Sequence, residues 1–153
     1  MTPRVVIASG GTGGHFYPTL AIARALLERG ASPALLVAGH HAQEQMRIAA
    51  GQGLNAAEVP AFRLPDGVGA ALAFPFRTLA AVRAARQRLR ELSPDLLLGM
   101  GSFAAVPACL AARREGIPLV LHEGNAWMGR ANRFLSRWAA AAARHSTRWP
   151  RPP

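Results

Sequence analysis

The chain has 153 residues, one cysteine, and 18 basic against 8 acidic residues, for a formal net charge of +10. That length suits about one domain burying roughly two-thirds of its unfolded surface, and the lone Cys109 excludes an intrachain disulfide and reads as core filling. The longest apolar runs are broken by Arg, Gly or Pro, and a strand pattern begins almost at Met1, so neither a membrane span nor a signal peptide is expected and the location implied is cytosolic.

Strand and helix patterns alternate along the chain. Residues 4–8 read as a first strand, buried on both faces, and 18–29 as a helix with Leu20, Ala23 and Leu27 on one face and Gly30 as its stop. A second strand over 34–38 precedes a short helix over 42–50, ended by Gly51, and 54–59 reads as a third strand closed by Pro60. Residues 65–69 are expected as a loop, 76–92 as a long helix stopped before Ser93-Pro94, and 95–98 as a fourth strand. A helix over 104–114, a fifth strand over 118–121 and a helix from about Gly129 complete the series.

This order implies the α/β class: a Rossmann-like, doubly wound parallel sheet with helices on both faces. Strand order 3-2-1-4-5 sets strand one beside strand four, where the winding reverses, and ligands bind outside the carboxyl ends of strands at such a point. Three segments far apart in sequence converge there. They are Ser9-Gly10-Gly11-Thr12-Gly13-Gly14-His15 after strand one, Gly99-Met100-Gly101-Ser102-Phe103 after strand four, and His122-Glu123-Gly124-Asn125 after strand five.

Four glycines between a strand and a helix let the backbone approach a ligand and leave amides free at a helix N-terminus, an anion site. A histidine beside them can move a proton near neutral pH. The segment is not a P-loop, because the chain contains no lysine, and the dinucleotide pattern fails because Phe16 stands where its third glycine belongs. The alternative is a tight turn without a ligand.

The arginines are grouped. Arg77, Arg83, Arg86, Arg88 and Arg90 fall on one segment, and Arg130, Arg133, Arg137, Arg144, Arg148 and Arg151 follow Glu123, the last acidic residue. Such a balance favours anionic partners, the alternative being an arginine- and alanine-rich composition with no partner. Leu72, Phe74, Phe76 and Leu79 beside Arg77 and Arg83 suit the surface of an anionic membrane. An ordinary amphipathic helix, with Leu79, Val82 and Leu89 in the core, explains the same pattern. No nucleic-acid partner is expected, since aromatic platforms and recognition motifs are missing. His40 and His41 are expected to be solvated, and no metal site is expected without carboxylates at ligand spacing.

Gly10-Gly11-Thr12-Gly13-Gly14-His15 with Pro18, Pro94 through Gly101, Gly116-Ile117-Pro118 and His122-Glu123-Gly124-Asn125 occur in one register. Together they resemble the MurG-type N-acetylglucosaminyltransferases of peptidoglycan synthesis, from about Pro3 to about Ala140. The resemblance implies the N-terminal, acceptor-binding half of a GT-B type enzyme with two Rossmann-like halves. It also implies inverting transfer of GlcNAc from UDP-GlcNAc to the C4 hydroxyl of the MurNAc sugar of lipid I, giving lipid II, with no cofactor or metal. UDP-GlcNAc would be held mostly by a C-terminal domain, and the protein would sit peripherally on the cytoplasmic face of the cell membrane. The family's Gly-Gly-Tyr in the second loop is Gly101-Ser102-Phe103 here.

Residues 1–143 are expected to form the acceptor domain, with residues 144–153 an irregular Arg/Pro-rich tail and no donor domain following. His15 is the first candidate for the base that takes the acceptor proton, with loop shaping as its alternative role. Glu123 is the rival base or an orienting acceptor, and Asn125 a donor to a sugar; a cluster that only stabilises the loop is the alternative. Thr12, Gly13, Gly14, Gly101, Ser102, Phe103 and His122 are the remaining substrate-binding candidates, the glycine and serine amides facing the acceptor diphosphate. A non-catalytic membrane-anchoring subunit of a split glycosyltransferase is the competing function.

Overall fold

The computed structural model describes residues 1–11, 13–61, 65 and 67–144. Six parallel strands, β1 (Arg4–Gly10), β2 (Ser32–Ala38), β3 (Asn55–Glu58), β4 (Leu96–Gly99), β5 (Leu119–Glu123) and β6 (Ala141–Arg144), form one sheet in the order β3-β2-β1-β4-β5-β6. β1 lies between β2 and β4, with Val6 opposite Ala34 on one side and Leu97 on the other. The switch point therefore falls where alternating strands and helices predict it.

Side-chain alternation along β1 divides the core into two layers. Val5 and Ile7 pack with Phe16, Leu20 and Ala23 of α1 (Gly13–Glu28) and with Ala42 and Ala49 of α2 (Ala42–Gly51). Val6 and Ala8 face the opposite layer. That layer holds Val82, Ala85 and Leu89 of α3 (Val68–Leu92), Ala108 and Cys109 of α4 (Val106–Arg114), and Ala131 and Leu135 of α5 (Arg130–Leu135). Both sheet faces are covered, which is why the strands read as continuous apolar runs. Cys109 is buried, and burial pushes its thiol up to about 12, so it is core filling.

Three elements differ from their sequence reading. α1 starts at Gly13 and carries Pro18 inside it, so His15 stands in its first turn. α3 starts at Val68 and runs through Pro75. Pro75 is exposed, and its missing N–H leaves one intrahelical hydrogen bond unmade. β6 was not expected, because Ala141-Ala142-Ala143 carries no β-branched or aromatic signal. Pairing creates it: Val120 to Glu123 of β5 stand opposite Ala141 to Arg144. Arg144 thereby ends a strand instead of opening a tail, and the rest of the expected tail lies outside the described residues.

Candidate functional site

The site is built where β1, β4 and β5 end. Gly10 closes β1 with φ +152°, and a Cβ there would stand 2.3 Å from the Ala38 carbonyl oxygen and 2.9 Å from the Ala104 Cβ. No larger residue fits. The chain then bends over the end of β2, where the Gly11 amide donates to the Ala38 carbonyl at 3.1 Å and its own carbonyl accepts from Gln45 Nε2 at 3.3 Å. Thr12 lies outside the described residues. Gly13 and Gly14 open α1, whose first amides have no intrahelical partner.

β4 leads to the second loop. Met100 is fixed by its amide to the Ala8 carbonyl at 3.0 Å, and Gly101 takes φ +83°. A Cβ on Gly101 would lie 2.8 Å from Asn132 Nδ2 and 3.1 Å from the His122 carbonyl, so this loop rests directly on the third motif. Ser102 follows with a buried Oγ that has no hydrogen-bond partner among the described residues, and Phe103, 38 % exposed, begins the single 3₁₀ turn ahead of α4.

The third motif is organised by Glu123. Its side chain is buried and both oxygens are occupied. Oε1 accepts from the Asn125 amide at 3.0 Å and Asn125 Nδ2 at 2.9 Å, and Oε2 from the Gly129 amide at 2.9 Å and Asn132 Nδ2 at 3.0 Å. Burial alone would raise this carboxyl's pKa; those hydrogen bonds outweigh it and hold the pKa below the ordinary carboxylate value. The carboxylate is thus ionised at neutral pH with its lone pairs spoken for.

Two cavities flank His15, which is half-buried and lines both. The smaller, about 310 Å³, is walled by Gly14, Pro18, Met100, His122, Gly124 and Asn125. The larger, about 590 Å³, runs from Gly10, Gly11 and Gly39 to Gly101, Ser102, Phe103 and Arg130. The structure therefore gathers His15, Gly14, His122 and Asn125 around one space and Gly101, Ser102 and Phe103 around the next. Glu123 lines neither, and Gly13 lies under the Tyr17 ring, 3.2 Å from where its Cβ would be. His40 and His41 are exposed as expected, but both border the larger cavity, and His41 Nδ1 lies 3.9 Å from Glu44 Oε2.

Gln45, Asn132 and Arg130 were missed in the sequence. Gln45 and Asn132 are buried polar residues at positions whose helical neighbours, Ala42, Ala49 and Leu135, are core; a polar residue on an apolar helical stripe was the available signal. Arg130 carried none beyond its charge. Among the described residues no three His, Cys, Asp or Glu side chains are grouped to hold a metal, and no helix is long and apolar enough to cross a membrane.

The outer face of α3 carries a second feature. Val68, Leu72, Phe76, Leu79 and Arg83 recur at every third or fourth residue, and Val68, Leu72 and Phe76 are 81 %, 72 % and 75 % exposed. Arg77 is exposed beside this stripe, whereas Phe74 turns inward and is half-buried. Leu79 is at the margin with 36 % exposure, and Val82 and Leu89 are core.

Residues 5–144 match the model of the glycosyltransferase family 28 N-terminal domain. The chain is 46 % identical over 135 residues to the UDP-N-acetylglucosamine--N-acetylmuramyl-(pentapeptide) pyrophosphoryl-undecaprenol N-acetylglucosamine transferase of Halorhodospira halophila, covering 87 % of this chain and 37 % of that protein. It is 40 % identical over 137 residues to the transferase of the same name from Shewanella woodyi, covering 90 % and 37 %. The crystal structure of Acinetobacter baumannii MurG superposes with a TM-score of 0.82 at 31 % identity, over 99 % of this chain and 43 % of that one. The chain thus spans well under half the length of these relatives. With its sheet order, its glycine-lined switch point and 140 residues matched end to end (5–144), it belongs to the glycosyltransferase family 28 N-terminal domain family.

Proposed function

We propose that this chain is the acceptor-binding half of an inverting glycosyltransferase that adds GlcNAc from UDP-GlcNAc to lipid I, forming lipid II. The observation that carries the reading is the convergence of His15, Gly14, His122 and Asn125 on one cavity at the switch point, beside the larger, glycine-lined cavity. The relatives' own names describe GlcNAc transfer to an N-acetylmuramyl pyrophosphoryl-undecaprenol acceptor, which carries both a sugar and a diphosphate.

In this reading the acceptor sugar occupies the smaller cavity and His15 takes the proton of its attacking hydroxyl. Asn125 donates to the sugar. Glu123 serves as the positioning group and not as the base: its filled oxygens and lowered pKa leave it no room to accept a substrate proton, while they hold Asn125, Gly129 and Asn132 in place. The diphosphate lies between the first-turn amides at Gly14 and the Gly101–Ser102 backbone, with Arg130 as a countercharge. Phe103 offers its ring to the rim of the larger cavity, and Thr12 adds a hydroxyl to the first loop. UDP-GlcNAc binds mainly outside this domain, in a portion corresponding to the length of the relatives that the chain does not cover. The α3 stripe of Val68, Leu72, Phe76 and Leu79, with Arg77 and Arg83, rests on an anionic membrane at the cytoplasmic face, where the lipid acceptor resides.

The test is binding of a soluble diphosphoryl-MurNAc analogue to this chain, followed by turnover with a sugar-nucleotide-binding half supplied in cis or in trans. His15→Ala is expected to lower turnover by roughly 10²–10⁴-fold while changing analogue affinity little, because it removes a proton acceptor but few ground-state contacts. Unchanged turnover in His15→Ala refutes the base assignment, and absence of analogue binding refutes the reading as a whole.

A further inference from the structure

Gln45 is a polar side chain in an apolar setting. It lies on the inner face of α2 between Ala42 and Ala49 and is 4 % exposed. Among the described residues its Nε2 donates to the Gly11 carbonyl, 34 residues away, at 3.3 Å, and its buried Oε1 has no partner. An orphaned buried acceptor is costly, and a methionine of the same length would fill the space without one. Packing does not explain the glutamine.

Its partner does. Gly11 takes φ +81°, a conformation with little restraint of its own, and is tied at both backbone groups: its amide to the Ala38 carbonyl at 3.1 Å and its carbonyl to Gln45. Gly39, at φ +107°, lets β2 pass beneath, with the place of its Cβ 3.6 Å from the Gly11 nitrogen. Both ties fix Gly11 two residues ahead of α1, whose opening amides are unpaired within the helix and of which Gly14 reaches the cavity. We infer that Gln45 is a positioning residue for the glycine loop, holding the Gly11 carbonyl so that the first amides of α1 are aimed at a bound diphosphate. This rests on the proposed acceptor reading of that loop.

Inorganic pyrophosphate is the probe, titrated calorimetrically against the full chain, with thermal melts and amide exchange measured on the same samples. Gln45→Met is expected to weaken pyrophosphate binding about tenfold, the equivalent of one hydrogen bond. It is also expected to hold Tm within about 2 °C and to speed exchange at Gly13 and Gly14 without affecting β1. Gln45→Leu is expected to match it. Pyrophosphate affinity equal to wild type in both variants overturns the inference alone. Parallel loss of Tm, by more than about 5 °C, and of affinity in both variants assigns Gln45 to packing and overturns it too. A wild-type chain that does not bind pyrophosphate overturns the reading of the loop, and this inference with it.

Discussion

Removal of the Glu123 carboxylate distinguishes a base from a positioning group. Glu123→Ala strands the four donors that converge on it. Asn125 is exposed, so its two donors turn to water. Asn132 is fully buried and Gly129 half-buried, so their donors are compensated poorly. A hydrogen bond to a charged group contributes about 1.5–3 kcal/mol, and two such losses, discounted for partial compensation, come to about 3 kcal/mol. For a domain of this size each kcal/mol shifts Tm by about 2–4 °C, so a fall of about 6–12 °C is expected in a melt at pH 7. The pH dependence has a definite sign. The folded-state pKa of Glu123 lies below its ordinary value of 4.5, so its stabilisation is complete above that pH and is lost as pH falls through the folded value. The Tm gap between wild type and Glu123→Gln should therefore close on acidification. A Glu123→Ala chain that melts within about 2 °C of wild type, yet has no turnover in the complete enzyme, refutes this reasoning and returns the carboxylate to the role of base.

Gly101→Ala should lower Tm by more than Gly30→Ala: both glycines have positive φ, +83° and +78°, but only Gly101 has neighbours, Asn132 Nδ2 and the His122 carbonyl, within reach of a Cβ. Each substitution bears the left-handed penalty of about 1–2 kcal/mol, so the difference between the two melts reports the steric contact, and equal melts would refute it. Leu72→Ser with Phe76→Ser should weaken binding to vesicles of anionic lipid, as should raised salt, since each nearby arginine contributes about 1 kcal/mol. Phe74→Ser should instead lower Tm, because that ring is half-buried; equal binding to neutral and anionic vesicles would reduce the stripe to a solvated face.

Local chemistry made much of this protein legible. Apolar runs at Val5–Val6–Ile7 and Leu96–Leu97–Leu98 mark strands covered on both faces, and glycine stops at Gly30, Gly51 and Gly116 mark helix ends. Alternation of the two, with the preferred hand of parallel crossovers, is enough to set β1 beside β4 and to place three distant motifs on one edge. Helix starts were read less well at Pro18 and Pro75, where the proline penalty is local and the surrounding helix absorbs it.

Tertiary structure decided what depends on neighbours remote in sequence. The alanines of β6 have no strand preference of their own; β5 supplies the unpaired edge that makes them a strand. Glu123 reads in the sequence as a rival base, an orienting acceptor or part of a loop-stabilising cluster, and what separates these is the hydrogen bonding by Asn132 and Gly129, which only folding brings to its oxygens. Phe74 and Phe76 look alike in the chain, and the 100° turn per residue of an α-helix sends one toward the protein and the other to solvent. Gln45 gains its partner in the same way, from a carbonyl 34 residues away. Propensity and periodicity act over a few residues and so can be read along the chain. Burial and hydrogen-bond partnership are properties of a packed interior, and exist only once the sheet has closed around them.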